Sequence, residues 1–216
     1  MTTQPDSEGA IAYALNRLSN ELSPDLIYHN YWHSQADVLP GVVRLSSFSN
    51  ISTEHILLLR VGAAFHDIGF VITHLEHERV GVGIAQQVLP DFGFTPAQID
   101  IITGMIMATR LPQSPHTLLE EILADADLDV LGREDFFRRS EHLRNELANL
   151  GRSNSPLQWF EIQRNFLKNH SYFTRQAREL RQPCKDQHII ILEEHLKNRR
   201  NGSGEPTHLD LVKPIP

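Results

Sequence analysis

The chain has 216 residues, 40% of them hydrophobic and 22% charged, which is enough for a core without staples and too apolar for a disordered polyelectrolyte. With 20 Lys and Arg against 27 Asp and Glu the formal charge is −7, which argues against a general nucleic-acid binder and its basic surplus. The single cysteine, Cys184, excludes an intrachain disulfide framework; with no apolar run of membrane-spanning length and no basic-then-apolar leader in MTTQPDSEGA, a reducing cytoplasm is the expected setting.

Apolar spacing predicts helix almost throughout. Over 8–22, Ile11, Ala14, Leu15, Leu18 and Leu22 recur at helical intervals. Ser23-Pro24 breaks that pattern, and a second helix is expected over about 26–39, stopping near Pro40-Gly41. Ser52 or Thr53 can cap a third, 54–66, whose apolar residues cover most faces, so it is expected at the centre of the fold. A fourth is expected over 74–89. Thr95-Pro96-Ala97-Gln98 combines a capping residue, a proline at the first position and a reciprocal Gln, and opens a fifth helix reaching about Ala108. Further helices are expected over 117–131, 133–149, 156–181 and 185–198. No sustained two-residue alternation marks a strand. Residues 199–216 carry Gly202, Gly204, Pro206, Pro214 and Pro216 and read as a flexible tail. The predicted fold class is all-α: a single bundle with an N-terminal extension over 1–25, a core over 26–135 and additional C-terminal helices over 136–198.

Twelve histidines are the unusual feature, since imidazole is both the commonest metal ligand and the natural acid or base near neutrality. Three clusters matter, two with histidines and one of carboxylates. In Tyr28-His29-Asn30-Tyr31-Trp32-His33-Ser34-Gln35-Ala36-Asp37-Val38, a helix would set His29, His33 and Asp37 on one face. His66-Asp67 ends the apolar third helix. Asp125, Asp127 and Asp129 alternate within an apolar stretch, Asp125 and Asp129 sharing a face that Asp127 does not. A carboxylate in such surroundings is costly unless it is paired or bound to a metal. Mixed imidazole and carboxylate ligands suit iron, manganese, zinc, cobalt or nickel better than calcium. His55, His142, His170, His188, His195 and His208 read as ordinary surface or core residues, and His74 and His116 stay ambiguous.

The ordered set His33, His66-Asp67, Asp127 resembles the HD-domain superfamily of metal-dependent phosphohydrolases, over about residues 26–135. His66-Asp67-Ile68-Gly69 and Ala126-Asp127-Leu128 are typical of it in form. The first cluster, Tyr28-His29-Asn30-x-x-His33-x-x-x-Asp37-Val38, is similar to the signature of class I cyclic-nucleotide phosphodiesterases, distant relatives of that superfamily. The resemblance implies an HD-type helical bundle in which His33, His66, Asp67 and Asp127 hold a divalent ion (Mn, Fe, Zn, Co, Ni or Mg), with Asp125 as the alternative last ligand. It implies His29 as a general acid and Asp37 as a group orienting a ligand histidine. His77 fills the first of two extra histidine positions found in two-metal relatives. No histidine stands at 108–110 for the second, so one tightly held metal is expected.

The activity implied is hydrolysis of a phosphoester, monoester or diester, by a metal-activated water, with His29 or His77 protonating the leaving oxygen. Arg79 and Arg110 are the cations nearest the motifs and the candidates for binding an anionic substrate; Lys185 is more distant in sequence. Tyr31 and Trp32 lie near the site, as stacking partners for a base or as core residues. A nucleotide or other small phosphoester is the expected partner, with no stable nucleic-acid partner, no membrane and a homodimer left open. The alternatives are a nucleotide-binding regulatory HD module without turnover, an iron-dependent oxygenase of the same superfamily, and a scaffold built on the C-terminal helices.

Overall fold

The computed structural model describes residues 4–200. Among these residues there are nine α-helices joined by short π and 3-10 turns, and no strand, as the apolar spacing predicts. None of the described helices is long and apolar enough to cross a membrane. The chain divides into two compact units, one up to Leu128 and one from Asp129; the core expected from the sequence runs on to 135. The expected tail lies outside the described residues, except that Arg199 and Arg200 end the last helix.

In the first unit α1, Ser7–Glu21, is capped by Asp6, whose carboxylate accepts from the Gly9 N–H at 2.9 Å. It buries Ala10, Ile11, Ala14 and Leu18. The second helix corrects the expectation of 26–39. Asn30 Oδ1 accepts from the N–H groups of Trp32 (2.9 Å) and His33 (3.3 Å), so Asn30 caps the helix and His29 lies before it. A π turn, His33–Val38, then runs into α2, Leu39–Ser46. In this wide turn the Leu39 N–H reaches the Ser34 carbonyl, and Pro40, which has no N–H to donate, follows directly. Gly41 is a close approach and not a stop: a Cβ there would lie 3.2 Å from that of Ala126.

Helix α3, Thr53–Phe65, begins where Ser52 Oγ accepts from the His55 N–H at 3.2 Å. Leu58, Leu59, Val61, Ala63, Ala64 and Phe65 on it are all at most 1% exposed, and α3 packs against α1, α2, α5 and α6. It is the central helix because its apolar residues cover most of its faces. A 3-10 turn, Ile68–Val71, follows, then α4, His77–Val88. Helix α5, Pro96–Ala108, carries the expected reciprocal cap between Thr95 and Gln98. Helix α6, Leu118–Asp127, starts on Thr117.

The second unit holds a 3-10 turn, Asp129–Gly132, and α7, Phe136–Asn149, α8, Pro156–Asn169, and α9, Arg175–Arg200. The expected helices 156–181 and 185–198 are corrected: the break falls at 170–174 and Pro183 lies inside α9. Thr174 Oγ1 accepts from the Ala177 N–H at 3.1 Å and so starts α9. Packing carries α9 through its proline, because it lies on both α8 and the Asp129–Gly132 turn. Arg181 holds Asp129 with two hydrogen bonds, of 2.7 and 2.9 Å.

One glycine positions the motif residues. A Cβ on Gly69 would overlap the His77 carbonyl, so the turn after His66-Asp67 can meet the start of α4 only without a side chain. Gly69→Ala is expected to destabilise the protein by about 1–3 kcal/mol. Gly83 on exposed α4 surface meets nothing within 4 Å, and Gly83→Ala is expected to stabilise by about 1 kcal/mol through helix propensity. Thermal denaturation of the two variants checks the contrast.

Candidate metal centre

Three elements bring the central residues together. His33 opens the π turn before α2, His66 follows the last residue of α3, and Asp127 ends α6. One ligand atom from each lies within 4.8 Å of the others. Asp127 Oδ1 is 3.1 Å from His33 Nε2 and 3.5 Å from His66 Nε2. Asp67 joins through Oδ2, 3.2 Å from His66 Nε2 and 3.8 Å from His33 Nε2. Asp125 is fully buried two residues earlier on α6. Asp37 Oδ2 is 3.7 Å from His33 Nδ1, on the ring's far side from this group.

The hydrogen-bond inventory bears on whether these residues fit a cation. His66 Nδ1 is 2.8 Å from the Ala63 carbonyl. A carbonyl only accepts, so Nδ1 carries a proton, and in the neutral ring Nε2 keeps its lone pair for a cation. His66 Nε2 and Asp67 Oδ2 are buried with no hydrogen-bond partner, a costly state for polar atoms facing one another. A divalent ion satisfies both, and two imidazoles with two carboxylates form an ordinary donor set for one.

Charge in this buried group is balanced by protons when no cation is present. Burial alone would favour neutral His66, but Asp67 and Asp127 outweigh it and hold the imidazole well above its usual value. Burial also opposes charge on His33, and Asp127, Asp37 and Asp67 again raise it. The same pairs work on the acids: burial pushes Asp67 and Asp127 up, and the histidines hold both below the usual carboxylate range.

Around this group stand the expected proton donors. Asp67 Oδ1 faces His77 Nε2 at 3.4 Å. Although it lies off the helix, His29 is near: its ring centroid is 6.1 Å from that of His33 and 6.5 Å from that of His77. Phe70 contacts both donors, stacking on His77 at 3.8 Å and lying near-parallel to His29 at 4.8 Å. Thr109, where a further histidine would serve a second metal, ends α5 with its hydroxyl donating to the Ile106 carbonyl at 2.8 Å.

Arg79 and Arg110 both reach Glu76, the residue before His77. Arg110 donates to Glu76 Oε1 at 2.9 Å and Arg79 to Oε2 at 3.3 Å. All three side chains are roughly half exposed or more. Glu76 has φ of 52°, the left-handed region, where it precedes α4. That conformation costs a non-glycine residue about 1–3 kcal/mol, whereas an exposed ion pair returns about 0.2–1 kcal/mol. Lys185 lies in the second unit, 2% exposed, donating to the His170 carbonyl at 2.7 Å. Trp32, beside His33, is exposed.

Asn30, Ala63, Phe70 and Glu76 did not stand out in the sequence. Asn30 had a signal, an amide two residues before a helical run. A backbone carbonyl, a phenyl ring and a left-handed glutamate carry none.

No family model matches the chain, and no curated protein does. Among solved structures it is similar to a predicted HD superfamily hydrolase from an uncultured Thermotogales bacterium. The TM-score is 0.55 at 19% identity, covering 93% of this chain and 94% of that one. This chain therefore has an HD-type helical fold, as the resemblance implies.

The proton balance predicts a pH dependence. His33 and His66 are raised, so their charge stabilises the metal-free protein below the ordinary imidazole value and stops doing so as pH rises through the raised values. The melting temperature of the chelated protein is expected to fall across that alkaline range. A divalent cation must displace the same protons, so its affinity rises with pH and its binding restores the melting temperature. Calorimetric melting with and without added metal, over a pH series, checks both trends.

Proposed function

We propose that the chain is a metal-dependent hydrolase of small phosphoesters, with nucleotides the leading substrate class. One observation carries the reading: His33, His66 and Asp127 converge within 4.8 Å, with His66 Nε2 and Asp67 Oδ2 buried beside them and making no hydrogen bond. The likeness in fold to a protein named as a predicted HD superfamily hydrolase supports it. His33, His66, Asp67 and Asp127 would hold the ion. A divalent cation held there supplies Lewis acidity and lowers the pKa of a water at neutral pH.

The chain's own groups do the rest. His66 is fixed through its Nδ1–H to Ala63, which keeps Nε2 turned to the centre. Asp67 turns one oxygen to that centre and the other to His77. His77 and His29, both against Phe70, are the groups that give a proton to the departing ester oxygen. Arg79 and Arg110 offset substrate charge beside a cluster of carboxylates.

Metal-loaded protein is expected to hydrolyse at least one member of a panel of nucleoside monophosphates, cyclic nucleotides and aryl phosphates, and His66→Ala/Asp67→Ala to lose both bound metal and activity. Purified protein without stoichiometric metal, or a double variant with full activity, overturns the reading. Melting shifts with nucleotides and no turnover would favour the regulatory binding module instead. Loss of the proton donor is expected to lower kcat by about two to four orders of magnitude. The loss is larger on alkyl than on nitrophenyl phosphates, and comparing His29→Ala with His77→Ala on both identifies the donor.

A further inference from the structure

We propose that Arg79 and Arg110 form a subsite for a second anionic group of the substrate, with the Glu76 carboxylate occupying it in the absence of substrate. The inference rests on the phosphoester reading above and narrows its substrate class.

The two arginines come from different elements, the first turn of α4 and the residue after the α5 cap. They converge on the two oxygens of one carboxylate. Fork-to-fork pairs occur elsewhere in this protein, while Arg138 on Asp135 and Arg175 on Glu179 use one nitrogen, as the Glu76 pairs do. Arg17 with Glu21, Arg60 with Glu8, Arg133 with Asp135 and Arg181 with Asp129 each use two guanidinium nitrogens on two carboxylate oxygens. Arg79 and Arg110 each spend a single nitrogen on Glu76. Each fork therefore keeps donors for another anion, and guanidinium forks match carboxylate and phosphate in shape.

The cost of holding Glu76 there points the same way. Its left-handed backbone is at best offset by its two exposed ion pairs, and non-glycine residues held in that region gather at functional positions. The place is also apt. Glu76 adjoins His77, which faces Asp67. Leu75 precedes Glu76 and Leu111 follows Arg110, both exposed apolar side chains, and the Arg110–Glu76 bond brings the two segments together. The subsite thus fits an anionic group carried on an apolar body, such as a nucleoside or an aromatic ring.

The test compares kcat/KM for matched substrates on the metal-loaded full chain: phenyl phosphate against para-carboxyphenyl phosphate, and adenosine monophosphate against adenosine bisphosphate. In at least one pair the doubly anionic member is expected to be preferred about ten-fold, through KM. Arg79→Gln/Arg110→Gln removes that preference, whereas Glu76→Gln increases it by removing the competing negative charge. Equal kcat/KM within both pairs, or a preference indifferent to these substitutions, overturns the subsite while leaving the phosphohydrolase reading intact. Absence of turnover on all four substrates and on the wider panel overturns both. The opposite signs expected of the arginine and glutamate variants separate a subsite from general damage to the fold.

Discussion

The constraint on which the first unit depends is charge balance in a closed space. His33, His66 and Asp67 are each at most 5% exposed, and Asp127 lies against both imidazoles. Neither carboxylate can be ionised there alone, and neither imidazole can stay neutral beside both of them. The group is therefore stable only with something positive inside it, whether protons or a cation. The surrounding architecture serves this group: an apolar central helix that delivers His66 to its end, a capped turn that delivers His33, and small residues where backbones must come close.

Much of this was legible in the chain. Apolar residues occupy nearly every buried position of α3, and that pattern alone marks it as the central helix. The α5 cap reads directly from Thr95-Pro96-Ala97-Gln98 because capping chemistry is local. The candidate ligands are legible for a related reason: carboxylates in apolar helices need an explanation that a sequence displays openly.

What stayed hidden depends on register or on distant packing. The π turn at His33–Val38 has no compositional mark, and without it Pro40-Gly41 reads as a stop. His29 was placed on a helix by spacing alone, although Asn30, by capping, puts it in the preceding turn. It still lies beside the group, held by ring contacts with Tyr28 and Phe70. Pro183 is the opposite case: it lies inside α9, where tertiary contacts override a proline's local preference.

The pair His33–Asp127 also bears on how the unit is built. Its members stand 94 residues apart in the chain, and α2 meets α6 through the close approach of Gly41 and Ala126. Contacts this remote in sequence form late, since the intervening chain must first surrender its freedom. A cation held by this group would consequently be captured late in folding: a nascent chain is complete through Asp67 well before Asp127 is made, and translation must run past α6 before the four side chains can meet.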